Sequence, residues 1–266
     1  MKTVQKHIVL KTENLSIGYQ QKKATLFIAK ELNLSLEKGK FIALLGKNGI
    51  GKSTLLRTLS KVQNPLSGAV ILKNKNLNDF TSKELASELS LVLTERLPES
   101  QLTVFELVAL GRQPYTNWVD KLSETDLKKI NWAIEQTEIG HLQEKRFYEL
   151  SDGQLQRVLI ARALAQDTEV IILDEPTAHL DMHHTYKIFQ LLQKLVVKTH
   201  KTVLISTHQI NLALEIVDDL IIMNEKEVVF GTTEDLIEAD ELETLFPKEI
   251  LKFNKTLRQF TISKDN

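Results

Sequence analysis

Two clusters of residues in this chain are equipped for phosphate chemistry. The segment Gly46-Lys47-Asn48-Gly49-Ile50-Gly51-Lys52-Ser53, with Thr54 adjoining it, satisfies the pattern G-x-x-x-x-G-K-[ST]. Glycines so spaced let backbone N–H groups curl around phosphate oxygens, and a helix starting there presents the positive end of its dipole. Lys52 would then reach the β- and γ-phosphates of a nucleoside triphosphate, and the Ser53 hydroxyl would ligate Mg²⁺. The second cluster is Asp174-Glu175, which ends the apolar run Val170 to Leu173. An aspartate at the end of a buried strand can hold Mg²⁺ through water, and the next carboxylate, Glu175, can polarise an attacking water as general base. Taken alone, such a pair is more commonly a solvated strand end.

These residues need a scaffold, and the hydrophobic pattern supplies one. Phe41 to Leu45 is a continuous apolar run of the kind buried on both faces of a parallel sheet. Leu55, Leu56, Leu59 and Val62 follow at helical spacing, stopped by Asn64-Pro65, and Gly68 to Lys73 reads as a strand. Residues 8 to 36 read as two extended segments around a polar turn at Gln20-Gln21-Lys22-Lys23. Later apolar runs at Val170 to Leu173, Thr202 to Ser206 and Leu220 to Met223 alternate with helical patterns. One helix carries Tyr186, Phe189, Leu192 and Val196 on a face, and another contains Leu212, Leu214 and Ile216. Strand–helix alternation implies a largely parallel sheet covered by helices. From Glu95 to about Ala165 only helices and loops are expected, as an insertion. A helix from Glu234 to Pro247 and a hairpin over Leu251 to Ile262, turning at Asn254-Lys255, complete the chain.

Composition narrows the classes further. At 266 residues the chain suits one large α/β domain or one domain with an inserted subdomain. With 34 Lys plus Arg against 35 Asp plus Glu, no global field points to nucleic acid or anionic lipid. The absence of cysteine removes disulfides, thiolate metal sites and a thiol nucleophile, and fits a reducing compartment. Met1 to Lys11 is polar, without the apolar core of a signal peptide. No run approaches the roughly 20 apolar residues that span a bilayer. Any work at a membrane is therefore expected through other chains.

Leu150-Ser151-Asp152-Gly153-Gln154 precedes Asp174-Glu175, which continues as Pro176-Thr177-Ala178-His179-Leu180-Asp181. Together with the glycine loop, these motifs resemble those of ABC (ATP-binding cassette) ATPases, whose signature is usually LSGGQ and whose second acidic motif reads D-E-P-T-x-x-L-D. The resemblance covers nearly the whole chain. It implies an α/β fold, the P-loop NTPase fold of ABC ATPases: a mainly parallel sheet core with an antiparallel β subdomain and an inserted helical subdomain. In this single domain, residues 1–94 and 166–266 would form the nucleotide-binding part and 95–165 the helical signature part.

The same resemblance assigns roles residue by residue. Tyr19 falls where the family places an aromatic that stacks on adenine, though a hairpin-core tyrosine would read alike. His208, in Ser206-Thr207-His208, matches the switch histidine at the γ-phosphate, and Asp181 matches the D-loop aspartate that couples two sites. Ser151, Gly153 and Gln154 of the signature would serve the nucleotide of a second copy. Ser151 is also a good N-cap for the helix that follows. Two departures stand out. Asp152 replaces a signature glycine and puts a carboxylate near phosphate. Glu95 stands where the family has the Q-loop glutamine; it can ligate Mg²⁺ but cannot donate an amide hydrogen bond. It is expected to remain the metal-sensing residue, an assignment that fails if Glu95→Ala leaves transport and hydrolysis unchanged.

Thr103-Val104-Phe105-Glu106-Leu107-Val108, with Gly111-Arg112-Gln113-Pro114-Tyr115, is similar to a stretch in ATPases of iron–siderophore, haem and cobalamin importers. A helix followed by Gly-Arg-x-Pro can also arise for structural reasons. The short C-terminal extension argues against sugar-type importer ATPases. The implied protein binds ATP and Mg²⁺ as a homodimer and docks on transmembrane permease subunits at the cytoplasmic face of the membrane, with a substrate-binding protein upstream. Its permease contact is expected at Glu95 to Gln101 and the adjoining helix. Two alternatives stay open: a soluble ABC ATPase for iron–sulfur cluster assembly, and a non-transport ABC ATPase.

Overall fold

The computed structural model describes residues 7–20, 24–93, 100–116, 121–247 and 251–262. Its chain divides into two compact units, Met1–Asp79 with Thr202–Asn266, and Phe80–Lys201.

In the first unit the strand Phe41–Gly46 is buried along its whole length. Thr202–Ser206 pairs with it in parallel on one side and Asp219–Met223 on the other, and Val228–Thr232 adds an antiparallel edge. With both faces covered, only apolar residues fit, which is why this strand reads as a continuous run. Side chains tie its start: the Asp218 carboxylate accepts from the Phe41 N–H at 2.8 Å, and the Thr202 hydroxyl donates to the Glu37 carbonyl at 3.0 Å. The helix Lys52–Leu59 buries Leu55, Leu56 and Leu59, each worth about 1.5–3 kcal/mol of burial. A separate antiparallel sheet is built on Ile8–Gln20, which pairs with Thr25–Leu32, Ser35–Glu37 and Ser67–Leu72. The terminal hairpin Leu251–Asn254 and Gln259–Ile262 is packed by Phe253 and Phe260, ring centroids 5.2 Å apart.

In the second unit Val170–Leu173 pairs in parallel with Leu89–Val92. The same unit carries the helices Ser82–Glu88, Val104–Ala109, Glu124–Gln136, Asp152–Ala165 and Met182–Thr199, and the first and fourth of these pack on Leu89–Val92. Each starts on a side-chain cap, namely Thr81, Thr103, Ser123, Ser151 and Asp181, and the first four close reciprocal capping boxes. The helix Asp152–Ala165 buries Val158 to Ala161 and Ala163 to Ala165 and packs on Val104–Ala109 and Glu124–Gln136.

Several expectations needed correction. The first helix ends at Leu59, not beyond Val62: Lys61 takes φ 62 and Val62 is 56% exposed. Tyr186 is 47% exposed, and the buried face of its helix runs through Thr185, Ile188, Phe189, Leu192, Leu195 and Val196. The stretch from Glu234 is not one helix. Asp240, at φ 60, separates Thr233–Glu238 from the 3₁₀ turn Glu241–Leu245. The hairpin turn spans residues 255–258, with the Asn254 side-chain oxygen accepting from Leu257 N–H at 2.9 Å. The strand Val228–Thr232 was not foreseen; every residue in it is half-buried, so it shows no alternation.

Candidate functional site

In the first unit the glycine loop leaves the buried strand at Gly46 and enters the helix at Gly51. Gly51 has φ 114, and a Cβ there would lie 2.2 Å from Ile28 Cγ2, so only glycine fits. This N-cap makes no side-chain hydrogen bond, and the first helical turn holds no acid. A helix start without a side-chain cap or nearby carboxylate suits an anion. Lys52 is 4% exposed. Its ammonium donates to the carbonyls of Gly46 at 3.0 Å and Lys47 at 3.2 Å, and sits 3.4 Å from His208 Nε2. Since an ammonium only donates, that contact is a hydrogen bond in the histidine tautomer carrying its hydrogen on Nδ1.

The other predicted residues of this unit surround that point. Tyr19, 46% exposed, meets Thr54 through its hydroxyl, 2.9 Å from Thr54 Oγ1. Its ring is therefore tethered to the helix that carries Lys52 while one side stays open to solvent. Ser53 and Ile50 are half-buried; Lys47, Asn48 and Gly49 are exposed, and Lys47 pairs with Glu225 at 3.3 Å. Loop, lysine, histidine and tyrosine together form a concentration of donors beside an open aromatic, suited to a polyphosphate bearing a flat base.

In the second unit Asp174 continues the ladder, its N–H donating to Val92 O at 2.8 Å, and is 3% exposed. Glu175 turns the chain out of the strand at φ 47, and its carbonyl accepts from Ala178 N–H at 3.0 Å. The turn delivers the chain to Asp181, whose carboxylate caps the following helix through His184 N–H at 2.8 Å and lies 2.9 Å from His184 Nδ1. The backbone and ring hydrogen bonds from His184 hold the Asp181 carboxyl below the usual aspartate range.

The signature segment starts the helix Asp152–Ala165. Gln154 N–H donates to Ser151 Oγ at 3.4 Å, and Ser151 N–H donates to Gln154 Oε1 at 3.1 Å. Asp152 is exposed, whereas Gly153 is buried. At the far end Gly111 approaches so closely that a Cβ would lie 2.3 Å from Arg162 O. Arg112, 5% exposed, donates to Asp126 Oδ1 at 2.8 Å and to the Ala165 carbonyl at 2.7 Å, with its guanidinium 3.9 Å from the Tyr115 ring centroid. The Tyr115 hydroxyl donates to Gln166 O at 2.9 Å. The Gly-Arg-x-Pro-Tyr motif is thus a clamp on the C-terminal carbonyls of the signature helix. Burial alone would raise the Asp126 pKa, but hydrogen bonds from Ser123 and Arg112 and the arginine charge lower it on balance.

The first unit therefore brings together Tyr19, residues 46–54 and His208; the second carries Asp174, Glu175, Asp181, Ser151, Gly153 and Gln154. Glu95 lies outside the described residues. Sequence reasoning passed over His184 and the Arg112–Asp126 pair. The spacing Asp181-x-x-His184 could have signalled the first; nothing local could have signalled the second.

Comparison with known proteins bears on the same residues. A family model described as ABC transporter matches residues 29–178. An uncharacterised ABC transporter ATP-binding protein of Methanocaldococcus jannaschii is 37% identical over 97% of this chain and 88% of its own length. The iron(3+)-hydroxamate import ATP-binding protein FhuC of Bacillus subtilis is 38% identical over 89% of this chain and 87% of that protein. Among solved structures, a chain assigned to a metal-chelate type ABC transporter in an inward-facing conformation superposes with a TM-score of 0.78 at 28% identity, covering 96% of both chains. The chain belongs to the ABC transporter family, as an ATP-binding, ATP-hydrolysing subunit built on the ABC-ATPase fold.

Proposed function

We propose that two copies of this chain sandwich two MgATP molecules and power import of an iron–siderophore, haem or cobalamin-type substrate through a transmembrane permease fed by a substrate-binding protein. The observation that carries the ATP-binding half is the uncapped Gly51 helix start, with buried Lys52 beside it and His208 3.4 Å away. The importer reading is supported by relatives such as the Bacillus subtilis iron(3+)-hydroxamate import protein and by the metal-chelate transporter chain.

Each copy contributes two sets of groups. Residues 46–54 receive the phosphates through backbone N–H groups, with Lys52 on the β- and γ-phosphates and Tyr19 against the base. His208 holds the γ-phosphate end. Ser151, Gly153 and Gln154 serve the nucleotide of the other copy, and Asp181 links the two sites. Glu175 removes a proton from the attacking water. The Ser53 hydroxyl and the 3%-exposed Asp174 carboxylate are hard oxygen donors of the kind Mg²⁺ takes, with Glu95 as a third. Mg²⁺, when bound, would neutralise charge on the β- and γ-phosphate oxygens. Residues 95–165 act as the helical arm that presents the signature and meets the permease. Among the described residues no helix is long and apolar enough to cross a membrane. On this reading, attachment at the cytoplasmic face comes through the permease.

Glu175→Gln tests the mechanism. It should retain ATP binding, lose about 10²–10⁴-fold in hydrolysis and accumulate as an ATP-bound dimer on size exclusion with light scattering. Rapid turnover by this variant removes Glu175 as the base. Growth of a deletion strain on single iron sources tests the cargo, and growth unchanged on every siderophore and on haem excludes iron uptake.

A further inference from the structure

We propose that His184 is a positioning residue that locks the D-loop to the signature motif, so that Asp181 and the start of the signature helix move as one. The imidazole is used on two sides. Its Nδ1 lies 2.9 Å from each Asp181 carboxylate oxygen, and the same carboxylate accepts the His184 backbone N–H at 2.8 Å. Its ring edge occupies the space where residue 153 would carry a side chain: a Cβ on Gly153 would meet His184 Cδ2 at 3.0 Å and Cγ at 3.4 Å. One ring thus touches both Asp181, proposed to link the two sites, and the signature segment, proposed to serve the nucleotide of a partner copy. A shift of Asp181 by more than a few tenths of an ångström displaces the ring, and with it the packing under the helix start that bears Ser151 and Gly153.

The two neighbouring signature positions differ in the room they leave for a side chain. Position 152 is exposed and accepts an aspartate, while position 153 is buried against the imidazole and stays glycine. A side chain at 153 and an imidazole at 184 compete for one space.

The inference rests on the two-copy reading above, so the experiment separates the two. ATP-dependent dimerisation is measured by light scattering in the full-length Glu175→Gln chain, alone and with His184→Ala or His184→Asn added. Steady-state ATP hydrolysis is measured for the same His184 variants without the Glu175 change. His184→Ala should lower kcat at least tenfold and raise the ATP concentration for half-maximal dimer at least tenfold. Binding of a fluorescent ATP analogue to the monomer should change less than twofold. His184→Asn keeps a donor facing Asp181 and should recover most of kcat. Unchanged kcat and dimerisation in His184→Ala, or an asparagine variant no better than alanine, overturns the role of His184. If Glu175→Gln itself fails to dimerise with ATP, the two-copy reading fails and the inference with it. Should His184→Ala not fold by circular dichroism, the asparagine variant decides by the same readouts.

Discussion

Two helices of this protein begin at segments proposed to hold a phosphate, and they begin in opposite ways. The helix Lys52–Leu59 starts on a glycine that makes no side-chain cap, with no acid in its first turn. The helix Asp152–Ala165 starts on Ser151 within a closed capping box and carries Asp152 in its first turn. The first end has no side-chain cap of its own and suits an anion, whereas the second satisfies itself. Their anchorage differs as well. The first follows directly from a fully buried strand, while the second is held at its far end by Arg112 and Tyr115. On the proposed reading this suits the two tasks: one end keeps the nucleotide through the cycle, and the other must be stable before meeting a partner's nucleotide and after leaving it.

The contrast can be broken at either end. The largest effect is expected from Lys52→Ala, which removes the buried ammonium at the open end. Hydrolysis should fall by about 10²–10³-fold, measured by phosphate release, and equal turnover by the variant would show that this end does not bind the triphosphate. Next comes the clamp. Arg112→Ala leaves Asp126 buried without its cation and should cost about 3–5 kcal/mol in urea unfolding. The same pair sets an acid limit. Because the Asp126 pKa is lowered in the folded state, its contribution is complete above the unfolded aspartate value of about 4 and is lost as pH falls through the lower native value. Arg112→Ala should flatten that part of the acid-unfolding curve.

Ser151→Ala removes the cap of the self-satisfied end and should cost about 0.5–2 kcal/mol of stability. The loss in ATP-driven dimerisation should be larger than that stability change implies, because on the proposed reading the hydroxyl has a second task at a partner's phosphate. A variant that loses stability alone would reduce Ser151 to a cap. The smallest and most diagnostic change is Asp152→Gly. It removes a carboxylate from a helix N-terminus and adds a helical glycine, for a loss of about 0.5–1.5 kcal/mol in thermal or urea unfolding. It also takes a negative charge from a phosphate-facing end, so dimer should form at lower ATP. If closure instead weakens, Asp152 contributes to the interface directly.

Much of this was legible in the residues alone, and the limit was sequence separation. The loop from Gly46 to Ser53 announces itself because its constraints act within eight neighbouring positions. The buried strands at Phe41, Val170, Thr202 and Leu220 were equally plain, since a strand covered on both faces carries an uninterrupted apolar run. Contacts across long stretches were not legible. Gly153 meets His184, and Arg112 meets Ala165, only after several helices have folded together. Tyr186 was misplaced because a period of 3.6 leaves boundary positions ambiguous between a core edge and solvent. The Gly-Arg-x-Pro-Tyr stretch was read as a subgroup marker, and its residues turn out to bind one helix end. A structural clamp and a family signature are compatible, because a fixed packing solution propagates with the helix it serves.

The bend at Glu175 bears on attempts to engineer this protein. At φ 47 the residue sits in a backbone region where a side chain is strained by about 1 kcal/mol or more. A glycine at this position would relax the turn while deleting the carboxylate. Thermostable libraries of this chain should be screened for turnover as well as melting temperature, because on the proposed reading a glycine here removes the base.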